Sequence, residues 1–429
     1  MQRPLSALLL LAVAACSKSS SNGGTGPGPT GSLDITISAP AGVTGKVTII
    51  TPTDSLISIT SSKTINGLAP GNYSVRASAG VTVDPIVSNG YTGAVTGSPA
   101  NVMAGQTAAA TVTYSSARPG AGTLWVASQL GNTLSGFSSA QLATTGAPAP
   151  AIVLGNGGPS SNMQNELSVA ADSSGGIWWV NDTDTLRYYS ASQVAASGNP
   201  APARKLVSSS LITARAVAFD PKGNLWVADQ AHSNLNEFTA AQLAAGGLQT
   251  ATVVISPVFG SIKRPWAIAF DKKGDLWVAN YGDSSIAGFS PAQLATSGAP
   301  VPFAGISGSK GTANAIGIAF DPAGNLWVAT FADTISKFTP DQLTSIGAPT
   351  PSVILKMPAG TFSIPIAFDN SGDLWVCAYI HNKLYMFTPA QLTATGSPTP
   401  AVTISATGSS ISSVNAMAFS PPASNLPIP

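Results

Sequence analysis

Only 9% of the 429 residues are charged, and the formal net charge is +1, against about 25% charged residues in ordinary soluble domains. That balance leaves no electrostatic footprint for nucleic acid or for an acidic surface. Two cysteines, Cys16 and Cys377, exclude a disulfide framework and a cysteine-rich metal site.

The first element is a targeting segment, predicted over residues 1–15. Arg3 supplies a positive start and Leu5 to Ala15 form an apolar run. A run of that length is too short for a bilayer, which needs about 20 apolar residues, and suits the core of a secretory signal. It ends Val13-Ala14-Ala15-Cys16, which resembles the bacterial lipobox. The resemblance implies that Cys16 is lipidated and becomes the new N-terminus, so that the membrane is a partner through that lipid. Ser17 stands where an Asp would mark inner-membrane retention, which favours the outer membrane, facing the periplasm or the cell surface. Residues 16–31 hold no large apolar side chain after the cysteine and are expected to be a flexible tether.

Residues 32–116 carry short alternating or β-branched runs: LDITIS, KVTIIT, ISIT, NYSVRA and TAAATVTYS. They predict a small β-sandwich. The segment Leu68–Val75, LAPGNYSV, resembles the turn-and-strand element of carboxypeptidase-regulatory and immunoglobulin-like modules, which implies a spacer or adhesive role. Ala117 to Gly122 is a Gly/Pro linker.

Residues 117–429 are dominated by an internal repeat. Leu-Trp-Val-Ala or a close variant places Trp at 125, 178, 226, 277, 327 and 375, and a Gln follows at 141, 193, 242, 293, 342 and 391. Each copy of about 50 residues holds four strand signals, the pattern of a propeller blade. The first copy lacks its opening strand, and the missing phrase returns as Asn415-Ala-Met-Ala-Phe419 near the C-terminus. The fold class is therefore all-β: a six-bladed β-propeller closed by a C-terminal strand, preceded by a small β-sandwich. Closure of that kind removes the open sheet edge between first and last blades.

Several repeated residues have structural readings. Asp172, Asp220, Asp271, Asp321 and Asp369 invite a calcium hypothesis, but each opens an Asp-x-x-Gly hairpin in which Asp accepts from a nearby N–H. The Trp side chains belong between blades, and Cys377 takes a small core position equivalent to Ala228. The Ser/Thr-Pro-Ala-Gln-Leu segments read as short capped helices on the rim.

Function is expected on the opposite face, where the copies disagree with one another. The position after Val-Ala reads Ser128, Asn181, Asp229, Asn280, Thr330 and, offset by one, Tyr379. Residues entering the inner strands include Asn165, Glu166, Arg215, Arg264, Trp266, Asn314 and Asn415. The candidate ligand-binding set at the channel mouth is accordingly Asn165, Glu166, Asn181, Arg215, Asp229, Arg264, Trp266, Asn280, Asn314 and Asn415.

The repeat resembles the six-bladed NHL-repeat and gluconolactonase-like propellers over Gly122 to Pro421. That resemblance implies a Glu, an Asn and an Asp converging on a divalent cation, roles that Glu166, Asn280 and Asp229 match by residue type only. The streptogramin-opening lyases have a similar repeat style and use a His with acidic residues and magnesium. Here the histidines are His232 and His381, in the third and sixth blades, on opposite sides of the ring. No catalytic residue is assigned, and no serine-nucleophile elbow, zinc-helix motif or phosphate loop is present. The reading favoured is a cell-envelope lipoprotein whose propeller is a scaffold binding a protein, peptide or glycan, without nucleic acid and with no cofactor expected. The alternative is a metal-dependent hydrolase or lyase of a small ester or lactone, using Ca or Mg held by Glu166, Asp229 and Asn280.

Overall fold

The computed structural model describes residues 28–38, 43–53, 55–82, 91–116, 122–155, 166–181, 183–258, 260–358, 361, 363–405 and 411–420. The signal segment, Cys16 and Asn165 lie outside them. The chain divides into two compact units, Met1–Ser116 and Ala117–Pro429, and its described residues are almost entirely strand and turn.

In the first unit, among its described residues, seven strands form one hydrogen-bonded path, and an eighth, Ala100–Val102, pairs with Gly71–Thr82 beside it. Gly31–Ser38 runs parallel to Thr107–Ser116 and antiparallel to Lys63–Leu68. Val43–Ile50 lies between Leu56–Ile59 and Gly71–Thr82. Alternate residues of these strands (Leu33, Ile35, Val47, Ile49, Tyr73, Val75 and Val112) point into a single apolar cluster, as the two-residue period of a half-buried strand requires. Tyr73 donates its hydroxyl to the Ala69 carbonyl at 2.9 Å, so the polar end of a buried ring is satisfied.

The second unit contains, among its described residues, six sheets of four or five strands, antiparallel except for a short parallel strand at the outer edge of each five-stranded one. In each, the Trp-bearing strand is second from the inside, and Ile177–Asn181, Leu225–Asp229, Leu276–Asn280, Leu326–Thr330 and Leu374–Ala378 are buried throughout. Both its faces are covered by neighbouring sheets, which is why it is uniformly apolar rather than alternating. Six apolar clusters fill the seams. One packs Leu124, Val126 and Phe137 of the first sheet against Trp375, Cys377 and Leu384 of the last. The inner strands contact one another in a cycle through Glu166–Ala171, Ala214–Phe219, Pro265–Phe270, Ala315–Phe320, Ser363–Phe368 and Val414–Ser420, and back to the first. The second unit is propeller-like.

Val414–Ser420 pairs with Thr123–Ser128, with Phe419 opposite Leu124 and Ala418 opposite Trp125. The last strand thus supplies the inner strand of the first sheet. A second set of contacts joins the sheets at their outer edges. A Gly in each copy bridges in parallel to the outer strand of the preceding sheet: Gly198 to Leu154, Gly298 to Ile255, Gly396 to Leu355, and Gly146 to Ile404 across the first and last sheets. Gly247 and Gly347 pair with Leu206 and Ile306 in the same way. Every outer edge is thereby covered, which removes a strand-pairing hazard.

The repeated acids are turn residues. Asp220 Oδ1 accepts from the N–H groups of Lys222 and Asn224 at 2.8 and 2.9 Å, and Gly223 has φ +81°. Asp172, Asp271, Asp321 and Asp369 accept in the same pattern. The rim Gln is equally fixed. Gln242 accepts from the Thr239 N–H and donates to the Thr250 carbonyl, both at 2.8 Å, and its five counterparts do likewise. Ala240–Ala245 forms an α-helix, while the rim segments of four other copies hold a 3-10 turn.

Candidate functional site at the channel mouth

The six inner strands enclose a cavity of about 130 Å³. Its wall is built from small, aliphatic and aromatic residues, Ala267, Gly317, Ile318, Ile366, Met417 and Phe320 among them. At one end the strands begin with a repeated irregularity. The ladder register shifts between Ala214 and Ala216, Pro265 and Ala267, Ala315 and Gly317, and Val414 and Ala416. An extra residue in one strand of a pair bends that strand and re-aims the side chain it carries. The residues so placed, Arg215, Trp266, Ile316 and Asn415, all line the cavity.

Of the predicted residues, the structure therefore brings Arg215, Trp266 and Asn415 together at the mouth. Arg215 stacks its guanidinium 3.8 Å from the Trp266 ring centre. Two residues that sequence reasoning missed complete the group. Tyr281 lies 4.8 Å from Trp266, and Phe331 lies 5.9 Å from Trp266 and 5.8 Å from Tyr281. Arg264, held at φ +48°, places its guanidinium 5.6 Å from the Tyr281 ring. Each aromatic remains partly open to solvent. Tyr281 and Phe331 directly follow Asn280 and Thr330, so the repeat register one residue past the strand end was the signal that could have found them. Across the mouth, Asn415 donates to Gln129 Oε1 at 2.8 Å.

Asp229 and Asn280 do something else. Asp229 is fully buried. Its carboxylate accepts from the N–H groups of Ile212 and Thr213 at 2.7 and 3.1 Å and of Ala231 at 3.0 Å, and lies 2.9 Å from His232 Nδ1. Asn280, also fully buried, accepts from the Lys263 N–H and donates to the Ser261 carbonyl, each at 3.0 Å. Ser128 holds Ser412 by both its carbonyl and its N–H. The strand-end position thus braces the loop that enters the inner strand, and the Asp229 and Asn280 oxygens, two of the three side chains offered as metal ligands, accept from backbone N–H groups; the Glu166 side chain lies outside the described residues. Asn181 accepts from Thr183 in the following loop and from Arg187 in the next strand, Thr185–Tyr189. Glu166 opens the second inner strand, paired with Asn181. Asn314 is exposed, at φ +52°. Among the described residues no group of three or more His, Cys, Asp or Glu is assembled.

No family model matches the chain, and no curated protein matches it in sequence. Solved structures are similar to it in fold. One is a protein of unknown function from Bacteroides caccae, at 14% identity over 69% of this chain and 97% of that one, TM-score 0.48. Another is streptogramin B lyase, a β-propeller, at 14% identity over 53% of this chain and 66% of that one, TM-score 0.38. A third is the catalytically inactive virginiamycin B lyase from Staphylococcus aureus with quinupristin, at 13% identity over 65% and 77%, TM-score 0.39. The chain spans about two thirds of the length of the streptogramin B lyase it matches.

Proposed function

We propose that this chain is a cell-envelope lipoprotein, anchored through Cys16, whose second unit is a six-bladed propeller serving as a binding scaffold. The ligand site is the channel mouth. The observation that carries the reading is the cluster of Trp266, Tyr281 and Phe331, partly exposed above the cavity and flanked by Arg215 and Arg264. A concave, mostly apolar site with a few placed polar groups is the usual form of a binding pocket, and aromatic and Arg side chains dominate binding energetics. Further apolar residues on loops of the same face, Leu130, Ile212 and Ile380, are more than half exposed. The six-fold reading rests on six Trp repeats, six sheets and six seams. The first unit is read as an Ig-like spacer, a style with which the Tyr73 to Ala69 hydrogen bond agrees.

Two measurements test this. Radiolabelled fatty acid should enter the wild-type protein and not a Cys16→Ala variant. A panel of peptides and envelope glycans offered to the intact lipoprotein should yield a ligand whose binding falls at least tenfold in Trp266→Ala. A ligand that binds wild type and Trp266→Ala equally would place the site elsewhere.

A further inference from the structure

On the hairpin face, away from the channel mouth, the seam between the third and fourth sheets departs from the repeat. In the fourth, fifth and sixth sheets the buried indole N–H donates to the Asp that ends the inner strand: Trp277 to Asp271 at 3.3 Å, Trp327 to Asp321 at 3.0 Å and Trp375 to Asp369 at 3.1 Å. Trp226 of the third sheet is 1% exposed, and its Nε1 has no hydrogen-bond partner among the described residues. Trp125 is unpaired as well, but there Ser420 stands in place of the Asp. In the third sheet the Asp is present. Its Oδ2 accepts from Asn224 at 2.9 Å, and Asn224 also donates to Glu237 Oε1 at 2.8 Å. A buried donor left without an acceptor is rare in native folds and calls for a partner.

Trp226 lines a cavity of about 440 Å³, within the size range of small-molecule sites. The hairpin at which the equivalent indoles point contributes Asp220, Pro221 and Lys222 to the same cavity. Lys222 and Lys273 stand exposed at its lip, and neither is in an ion pair among the described residues. Val253, Phe270, Pro291 and Leu294 form an apolar wall. Glu237 completes the lining, directly opposite Trp226 in the ladder. The other copies hold Gly136, Tyr188, Gly288, Lys337 and Met386 at that position. Variation between copies on a fixed scaffold is where binding specificity can be written.

We infer that this seam pocket is a second binding site, separate from the mouth, and that it takes a neutral mono- or disaccharide. A hydroxyl accepts one hydrogen bond while it donates another. One sugar can therefore accept from the Trp226 N–H and the two lysines and donate to the Glu237 carboxylate, with its C–H face against the prolines and Leu294. An anion would meet Glu237 and Asp220, and a cation would meet Lys222 and Lys273, each a like-charge contact. A wholly apolar ligand would leave the indole N–H buried and unpaired.

The probes are cellobiose and N,N′-diacetylchitobiose, with inorganic phosphate as the anionic control, added to the whole chain in a detergent without a sugar head group. The readout is the indole N–H spectrum of protein carrying nitrogen-labelled tryptophan, in which Trp226→Phe identifies the Trp226 signal. At least one disaccharide should shift that signal saturably, and phosphate should leave it in place. Glu237→Met, which copies the residue of the sixth sheet, should weaken the sugar by about tenfold or more, with unfolding temperatures confirming that the variant is folded. Trp266→Ala should leave the response unchanged. No shift with either disaccharide, any shift with phosphate, or a sugar affinity that survives Glu237→Met would overturn the inference. A response lost in Trp266→Ala would also overturn it, and would place the sugar at the mouth instead.

Discussion

Asp229 organises two loops with one carboxylate. Its oxygens collect the Ile212, Thr213 and Ala231 amides from the two segments that flank the mouth. Removing such an acceptor leaves buried N–H groups unpaired, a cost of about 1–3 kcal/mol for each group fully desolvated. Asp229→Ala is therefore expected to lower stability by about 2–4 kcal/mol, read as a shifted urea midpoint with an unchanged slope. In the hairpin Asp271–Asp275 the effect has the opposite sign. Burial first, and the neighbouring Asp271 carboxylate second, push the Asp275 carboxyl up to about 6. A group whose folded value is raised above its unfolded one destabilises the ionised protein, and the loss develops as pH rises from about 4 through 6. The third and fifth sheets carry Asn224 and Asn325 at this position, each donating to its Asp at 2.9 and 2.7 Å. Asp275→Asn should stabilise the protein at pH 7 by about 1 kcal/mol, and thermal unfolding at pH 4 should show almost none of that gain. Cys377 illustrates the simpler case. It is fully buried beside Trp375 and Leu384, and burial pushes its thiol up.

At the scale of the element, the rim segment and the bulged inner strand do different work from one short phrase each. In the rim segment, Thr239 and Gln242 form a reciprocal capping box around Ala240–Ala245, and Gln242 also reaches the Thr250 carbonyl. The Gln is thus a clip between the helix start and the segment leading to the outer strand. Gln242→Ala should cost about 1 kcal/mol, with hydrogen exchange at Thr239 and at Leu243 accelerating ahead of the core. The inner strands were legible in the sequence as Ala-Ile-Ala-Phe-Asp phrases, and so was the role of the Asp that ends them. Their bulges were not. A register shift leaves the residue types unchanged and alters only which face each side chain takes, and it is this shift that sets Arg215, Trp266 and Asn415 on the cavity. For the same reason Asp229 and Asn280, polar and variable between copies, read as ligand-facing residues although they turn into the loops.

For the whole molecule, ring closure is the controlling feature. Ser128 and Ser412 exchange two hydrogen bonds across a sequence separation of 284 residues, and Ser405 and Gly146 close the outer edge across the same seam. Contacts this distant are slow to form because loop-closure entropy must be met first. A chain ending at residue 410 would lose the inner strand of the first sheet together with Ile411, Val414, Met417 and Phe419 from the seam cluster. Such a truncation is expected to abolish cooperative unfolding of the second unit and to expose the edge of Thr123–Ser128, read by dye binding and by aggregation on size exclusion. Thr145→Val, which removes only the acceptor for the Thr403 N–H at 3.1 Å, should leave closure intact and lower the unfolding midpoint by about 1 kcal/mol.

By itself the sequence determined the repeat, the buried Trp strands, the turn acids and the pairing of the last strand with the first copy. Those features depend on residue type at fixed spacing, and the Trp strand recurs in six copies and the turn acid in five. Only the tertiary structure decided which variable residues meet. Tyr281 and Phe331 come from different copies, 50 residues apart, and touch Trp266 because neighbouring sheets bring equivalent loops together around one cavity. Contact of that kind is set by the rotation from one sheet to the next and by local register, neither of which is written in the spacing of the chain.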